Sequence, residues 1–360
     1  MPALFEPLTL RSLTMRNRLW IAPMCQYSVT DMDGVPTDWH LVHLGQFAIG
    51  GAGLIVTEAT AVSPEGRISP QDTGIWTDEQ ANAWERIVRF IRAQGAAAGI
   101  QLGHAGRKGS TFAPWGTDRR GTVPDTDGGW QTVGPTAEPF DGFDPPIALD
   151  EPGIDAVVTA FAEAAVRAVR AGFDVIEIHA AHGYLLHQFL TPLVNTRSDS
   201  YGGSLENRAR LLLRVVEAVR AVIGDVVLMV RFSATDWVDG GWNEADTATV
   251  AGWAAAAGAD FFDISTGGAV AGVHIPLSSG YQVPFASHVK DNAQVLVSAV
   301  GLITDAFEAE DIVRSGRADA VMIAREALRD PHFALRAAAE FGIDDLAPGQ
   351  YGRAPYRATD

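Results

Sequence analysis

Two histidines three positions apart, His179 and His182, stand in the run His-Ala-Ala-His-Gly-Tyr. Imidazole ligates metals, moves protons near neutrality, or donates a hydrogen bond to an oxygen that gains charge. On a helix this spacing would put both rings on one face, as a metal pair requires. Here the apolar run Val-Ile-Glu-Ile leads into His179 and a glycine follows His182, so the rings straddle a strand end and a turn. A metal would need a third ligand, and no His-x-His motif or carboxylate partner accompanies the pair. Two neutral imidazoles donating to a substrate oxygen is the functional expectation, and a satisfied structural histidine is the alternative for either ring.

Gly301 and Arg325 each follow a late apolar run. Glycine lets the backbone come close to a ligand, and arginine can make a bidentate contact to phosphate oxygens. A turn glycine and a surface arginine are the plain alternatives.

Such residues need elements that bring them together. Eight short apolar runs, at 18–24, 53–57, 98–102, 174–179, 226–232, 261–265, 294–299 and 320–323, read as strands buried on both faces. Amphipathic stretches at 78–94, 155–171, 205–223, 246–257 and 306–315 read as helices between them. No Gly-x-Gly-x-x-Gly turn follows any run, so a dinucleotide-binding open sheet is disfavoured. The expected fold is of the α/β class, a single (β/α)8 TIM barrel over residues 1–360. Residues 4–10 and 13–15 suggest an N-terminal β-hairpin plugging the barrel bottom. Residues 103–150, rich in Gly, Pro and Asp but carrying Trp115, Trp130 and Phe140, read as a long lid-like excursion packed on the barrel after the third strand.

In this fold the active site lies at the carboxyl ends of the strands, and the loops after strands seven and eight often hold a phosphate. The strand ends here are polar: Pro23, Met24, Cys25, Gln26 and Tyr27 after the first, Glu58, Ala59 and Thr60 after the second, Gln101 closing the third, His179 to Tyr184 the fourth, Arg231 the fifth, Gly301 the seventh, and Ala324 with Arg325 the eighth. One large polar ligand with several distinct edges would use such a set.

Composition excludes other partners. The formal net charge is -17 and Lys108 and Lys290 are the only lysines, so nucleic acid and anionic membrane surfaces are not expected. Cys25 is the only cysteine, which rules out an intrachain disulfide and an all-cysteine cluster and favours the cytoplasm. No secretory leader pattern and no run of about 18 apolar residues is present.

The run from His179 through Gln188, Pro192, Asn195, Arg197, Asp199, Tyr201, Gly202, Gly203, Glu206 and Asn207 to Arg208 resembles the signature of the old yellow enzyme flavoprotein family. Ala-Pro23-Met24-Cys25, the stretch ending Thr-Glu58-Ala59-Thr60, Gln101-Leu-Gly-His104-Ala-Gly-Arg107 and Ala324-Arg325-Glu-Ala-Leu-Arg-Asp-Pro331 are similar to it as well. Cysteine after Pro-Met, together with Tyr27, resembles the xenobiotic reductase and thermophilic-like subclass.

The resemblance implies an ene-reductase: FMN at the barrel mouth, reduced by NADPH or NADH and reoxidised by hydride transfer to an alkene activated by a carbonyl or nitro group. It implies that Pro23, Met24, Cys25 and Ala59 line the flavin ring. Gln101 and Arg231 would meet its pyrimidine edge, and Gly301, Ala324 and Arg325 its phosphate. His179 and His182 would hold the activating oxygen, Tyr184 would give a proton to the α-carbon unless water does, and Tyr27 would shape the pocket. The tail, within residues 332–360, resembles a segment that enters a neighbouring subunit's site, with Tyr351 or Arg353 as its contact, so a homo-oligomer, dimer or tetramer, is expected. Ala324 stands where relatives often carry glycine, and residues 267–281 offer few landmarks.

Two rival readings belong to other classes. A barrel aldolase or metal-dependent hydrolase would use the histidine pair as ligands, but it lacks an evident Schiff-base lysine, since Lys108 and Lys290 fall outside the strand ends. A flavin-storing protein without turnover is the second.

Overall fold

The structure, a computed structural model, describes residues 1–357. Its elements are β1 (Leu8–Leu10), β2 (Leu13–Met15), β3 (Leu19–Ile21), α1 (Asp38–Ile49), β4 (Leu54–Ala61), α2 (Asp78–Ala93), β5 (Ala97–Gly103), β6 (Val133–Gly134), β7 (Ile147–Ala148), α3 (Glu151–Arg170), β8 (Val175–Ala180), α4 (Leu185–Leu190), α5 (Leu205–Ile223), β9 (Val227–Ser233), α6 (Glu244–Ala256), β10 (Phe261–Ser265), α7 (Val283–Ala293), β11 (Val297–Ala299), α8 (Ala306–Arg314), β12 (Ala320–Ile323), α9 (Arg325–Arg329) and α10 (Phe333–Glu340). Strands β3, β4, β5, β8, β9, β10, β11 and β12 close in that order into a parallel barrel. This is the (β/α)8 architecture.

Strand parity divides the core into two clusters. Ile21, Ile55, Ile100, Ile176, Ile178, Leu228, Val230, Ile264 and Ile323 pack outward with the helices. Trp20, Leu54, Val56, Val175, Val227, Met229, Phe261 and Met322 fill the barrel, joined by Leu10 and Met15 of the β1–β2 hairpin, which plugs it as expected. Side chains alternate along a strand, so on β8 the inward positions are Val175, Glu177 and His179, and on β9 Val227, Met229 and Arg231. The interior is therefore apolar at the plugged end and polar toward the mouth.

Local chemistry starts the helices. Thr77 forms a capping box with Gln80 on α2, while Asp150, Ser204, Asn243 and Asp305 each accept a first-turn N–H on α3, α5, α6 and α8.

Some boundaries differ from the sequence reading. Strand β3 stops at Ile21 because Pro23 has no N–H to give a ladder. Strand β11 begins only at Val297, since α7 runs to Ala293 and Gln294 closes it with a positive φ of 55°. Helix α1 carries His40, His43 and Gly45 on its buried side, which blurs an apolar stripe. The excursion after β5 is docked on the barrel: Trp130 donates to the Glu65 carbonyl at 2.9 Å and lies under the Arg67 guanidinium, while Arg197 holds the carbonyls of Pro135 and Leu149. Trp115, by contrast, remains half exposed and meets only the edge of the Tyr27 ring.

Candidate active site

The loop after β8 is built by the long motif acting on itself. Gln188 donates to the carbonyls of Ala105 and Gly183, His187 accepts the Gly183 N–H at 2.9 Å, and Asn195 and Arg208 satisfy the carbonyls of Phe189, Tyr201, Leu190 and Gly203. Behind it, His187 pairs with Asp236 at 3.2 Å in a fully buried contact. His182 is thereby held at a positive φ of 58°. Gly183 cannot be replaced cheaply, because a Cβ there would stand 2.1 Å from the Gly268 carbonyl oxygen.

His179, the last inward residue of β8, meets the rings of His182 and Tyr184 edge-on at 5.2 and 5.0 Å between centroids. Its Nδ1 accepts the Ala181 N–H, so its proton sits on Nε2, free to be donated. His182 Nε2 lies 2.8 Å from the Ser265 hydroxyl, which also donates to Gln282 Oε1 at 3.3 Å, so this contact is compatible with a proton on either ring nitrogen of His182. Burial, reinforced by the Arg231 charge, holds both imidazoles well below their ordinary pKa. Both rings are neutral at working pH. Burial also pushes the Tyr184 and Tyr27 phenols and the Cys25 thiol up, so all three keep their protons.

Two cavities flank this wall. One is lined by Arg231, Ser265, Gln282, Gly301, Ala324 and Arg325 and holds about 160 Å³. The other, smaller, is lined by Ala59, Ile68, His104, His179 and Tyr184, with Cys25, Tyr27 and Tyr184 packed on Ala59 and Ile68. Beneath them Gln101 donates to Glu177 at 2.7 Å, and Arg231 forms an ion pair with Asp263 at 2.8 Å. The fit to FMN is good on this structure's own terms. Arg325 has no acceptor among the described residues, and Gly301 (φ 132°) brings its backbone beside Tyr281 and Gln282 at the cleft.

The structure thus gathers Cys25, Tyr27, Ala59, Gln101, His179, His182, Tyr184, Arg231, Gly301, Ala324 and Arg325 around one mouth, with Pro23 and Met24 in the loop that follows β3 and Met24 packed against the helix-side core. It does not bring Arg353 there within its own chain. That residue is exposed on a tail whose Tyr351 and Tyr356 pack against His332, and the last three tail positions lie outside the described residues.

Three strand-end residues also serve the protein rather than the mouth. A register shift between Val56 and Ala59 turns Glu58 outward to His40 of α1, whose Nε2 lies 3.0 Å from Glu58 Oε1. Glu58 also accepts the Gln26 N–H, Gln26 bonds the Met24 carbonyl, and Thr60 bonds the Glu58 carbonyl.

Lys108 corrects the sequence reading. It follows β5 by several residues, yet its Nζ stands 5.1 Å from the Tyr184 ring and donates to the carbonyls of His182 and Gly268, both at 2.8 Å. Burial lowers it to about 8. Ser265, Ser233 and Gln282 were equally unread. Ser233 accepts the His182 N–H, and Gln282 ties Thr266 to the Val300 carbonyl. Only the position of Ser233 and Ser265 at the ends of β9 and β10, and of Gln282 in the loop after β10, could have pointed to them. Among the described residues no three His, Cys, Asp or Glu side chains form a metal cluster, and no helix is long and apolar enough to cross a membrane.

Comparison with known proteins places this mouth in a family. Residues 3–342 match the NADH:flavin oxidoreductase / NADH oxidase family. An "NADPH dehydrogenase" of Listeria innocua is 45% identical over 355 residues, covering 98% of this chain and 99% of that protein. One of Bacillus cytotoxicus is 44% identical over 353 residues, covering 98% and 96%. Among solved structures, a morphinone reductase mutant in complex with tetrahydroNAD superposes with a TM-score of 0.78 at 31% identity, covering 94% of this chain and 90% of that one. A barrel mouth shaped for a flavin and a match across nearly the whole chain meet in one conclusion: the protein is an enzyme of the NADH:flavin oxidoreductase / NADH oxidase family, the FMN-dependent oxidoreductases of old yellow enzyme type.

Proposed function

We propose that the protein is an ene-reductase that takes electrons from NADPH or NADH and delivers them to alkenes activated by a carbonyl or nitro group, both half-reactions using the one mouth. The observation that carries this reading is the wall of His179, His182 and Tyr184, three neutral, proton-bearing groups in which the His179 ring meets each of the other two edge-on. The "NADPH dehydrogenase" name of the relatives supports the nicotinamide as reductant.

Bound FMN supplies two-electron hydride chemistry. Pro23, Met24, Cys25 and Ala59 would line its ring, Gln101 and Arg231 would hold its pyrimidine edge, and Gly301, Ala324 and Arg325 would hold its phosphate. His179 through Nε2–H and His182 through its ring N–H donate to the activating oxygen, whose negative charge grows as the β-carbon is reduced. Donors already aimed at a growing charge lower the barrier without reorganising. Tyr184, its proton retained by burial, gives that proton to the α-carbon. Tyr27 borders the substrate side.

The test is stopped-flow absorbance on the holoprotein. Anaerobic NADPH should bleach the flavin band, and cyclohexenone should restore it. Bleaching without restoration by any carbonyl- or nitro-activated alkene would refute the ene-reductase reading while leaving the nicotinamide half intact.

A further inference from the structure

Two carboxyl groups lie inside the barrel where the family reading has no use for them. Glu177 and Asp263 are both fully buried on the inward faces of β8 and β10, one layer below His179 and Ser265. Gln101 pairs in register with Glu177, and Arg231 with Asp263. Glu177 Oε1 accepts from Gln101, Asp263 Oδ1 accepts from Ser298 at 3.0 Å, and Asp263 Oδ2 meets Arg231 Nε at 2.8 Å. One atom of the layer is left over: Glu177 Oε2 is buried and has no partner.

Two carboxylates and one guanidinium in a dry layer leave an unpaired buried negative charge, which costs far more than keeping a proton. Asp263 has the guanidinium, so the proton belongs on Glu177. We propose that the two carboxyl groups of this layer hold one proton between them, carried by Glu177 while Asp263 stays ionised against Arg231, and that Glu177, by holding Gln101, is a positioning residue that sets the flavin's reduction potential. This rests on the flavin seat proposed above.

The charged groups that face Glu177 are Asp263 from β10 and Arg231 from β9, with neutral Gln101 on β5. Burial first, then Asp263, raise Glu177 to about 8, and burial raises Asp263 as well, against the opposing pull of Arg231 and the Ser298 hydrogen bond. Hydride transfer from the nicotinamide oxidises that cofactor and adds two electrons and one negative charge to the flavin above this layer. Above pH 8, where Glu177 has lost its proton, reduction draws one from solvent back onto the carboxylate, so the electron transfer carries an extra proton.

Spectroelectrochemical titration of the holoenzyme between pH 6 and 9 tests this. The wild-type potential should fall more steeply above pH 8 than that of Glu177→Gln. At pH 9 its reduced-to-oxidised ratio should be about fivefold to tenfold lower at equal driving force, about 20–30 mV for two electrons. At pH 7 Glu177→Gln, which keeps an acceptor for Gln101, should match wild type, and Glu177→Leu should not. Infrared spectra of wild type at pH 7 should show a protonated buried carboxyl that is missing in Glu177→Gln. Absence of that band overturns the proton on Glu177 whatever the variants do. A band with parallel potential–pH curves overturns the tuning role and points to a flavin seated elsewhere.

Discussion

His179 and His182 differ in how each ring is held. His179 is oriented by its own backbone, through the Ala181 N–H, whereas His182 depends on the Ser265 hydroxyl. Replacing either histidine by alanine should slow reoxidation by cyclohexenone on the order of 10²-fold, with less than additive loss in the double variant. Asparagine, which keeps an N–H, should be milder. Flavin reduction by nicotinamide should suffer less, as stopped-flow traces of each half-reaction will show; wild-type reoxidation in the double variant would refute the assignment. Ser265→Ala removes one hydrogen bond worth about 1 kcal/mol and should slow reoxidation roughly fivefold, a ratio the same assay measures. Cys25→Ala should shift the flavin's potential while leaving FMN bound, because a thiol beside the ring polarises it without anchoring it. An unchanged potential would make Cys25 a packing residue.

The helices that surround the barrel carry a pH dependence unrelated to catalysis. His43 of α1 is buried between Trp39 and Phe47, and burial lowers it from its ordinary value to about 4. A depressed pKa gives stability that is present above the unfolded value, about 6.5, and is lost as pH falls toward the folded one. Between pH 7.5 and pH 5 this single ring should cost about 2 kcal/mol of folding stability. His43→Leu removes the titration, so relative to wild type it should gain about that much over the same interval in urea unfolding. An equal stability difference at both pH values would show that His43 is solvated in the native state.

At the scale of the molecule, one tail residue has no place in its own chain. Arg353 is exposed while its neighbours Tyr351 and Tyr356 rest on His332, and we propose, as the family resemblance implies, that the tail of one subunit completes another's pocket. Light scattering should then report a dimer or tetramer, and removal of residues 349–360 should raise the KM for alkene while leaving FMN bound. A monomer that keeps full activity without the tail would refute it. The surface charge of -17 has no part in this argument beyond solubility.

What the sequence by itself determined was everything written in short-range pattern. Apolar runs buried on both faces implied the barrel, their carboxyl ends put Gln101, His179 and Arg231 at its mouth, and the run from His179 to Arg208 marked the family. What only the tertiary structure decided was which residues meet across the barrel. Glu58, Gln26 and Thr60 looked like ligand groups until one register shift in β4 turned the first outward and bound the others to backbone. Lys108 looked remote until the excursion folded its amine onto the His182 carbonyl. Glu177 and Asp263 stand on strands separated in sequence, and each alone is a lone acid in an apolar run. Local pattern fixes the face a side chain takes, but its charge state depends on what closure of the barrel sets opposite it, and here closure puts two acids and one arginine in the same dry layer.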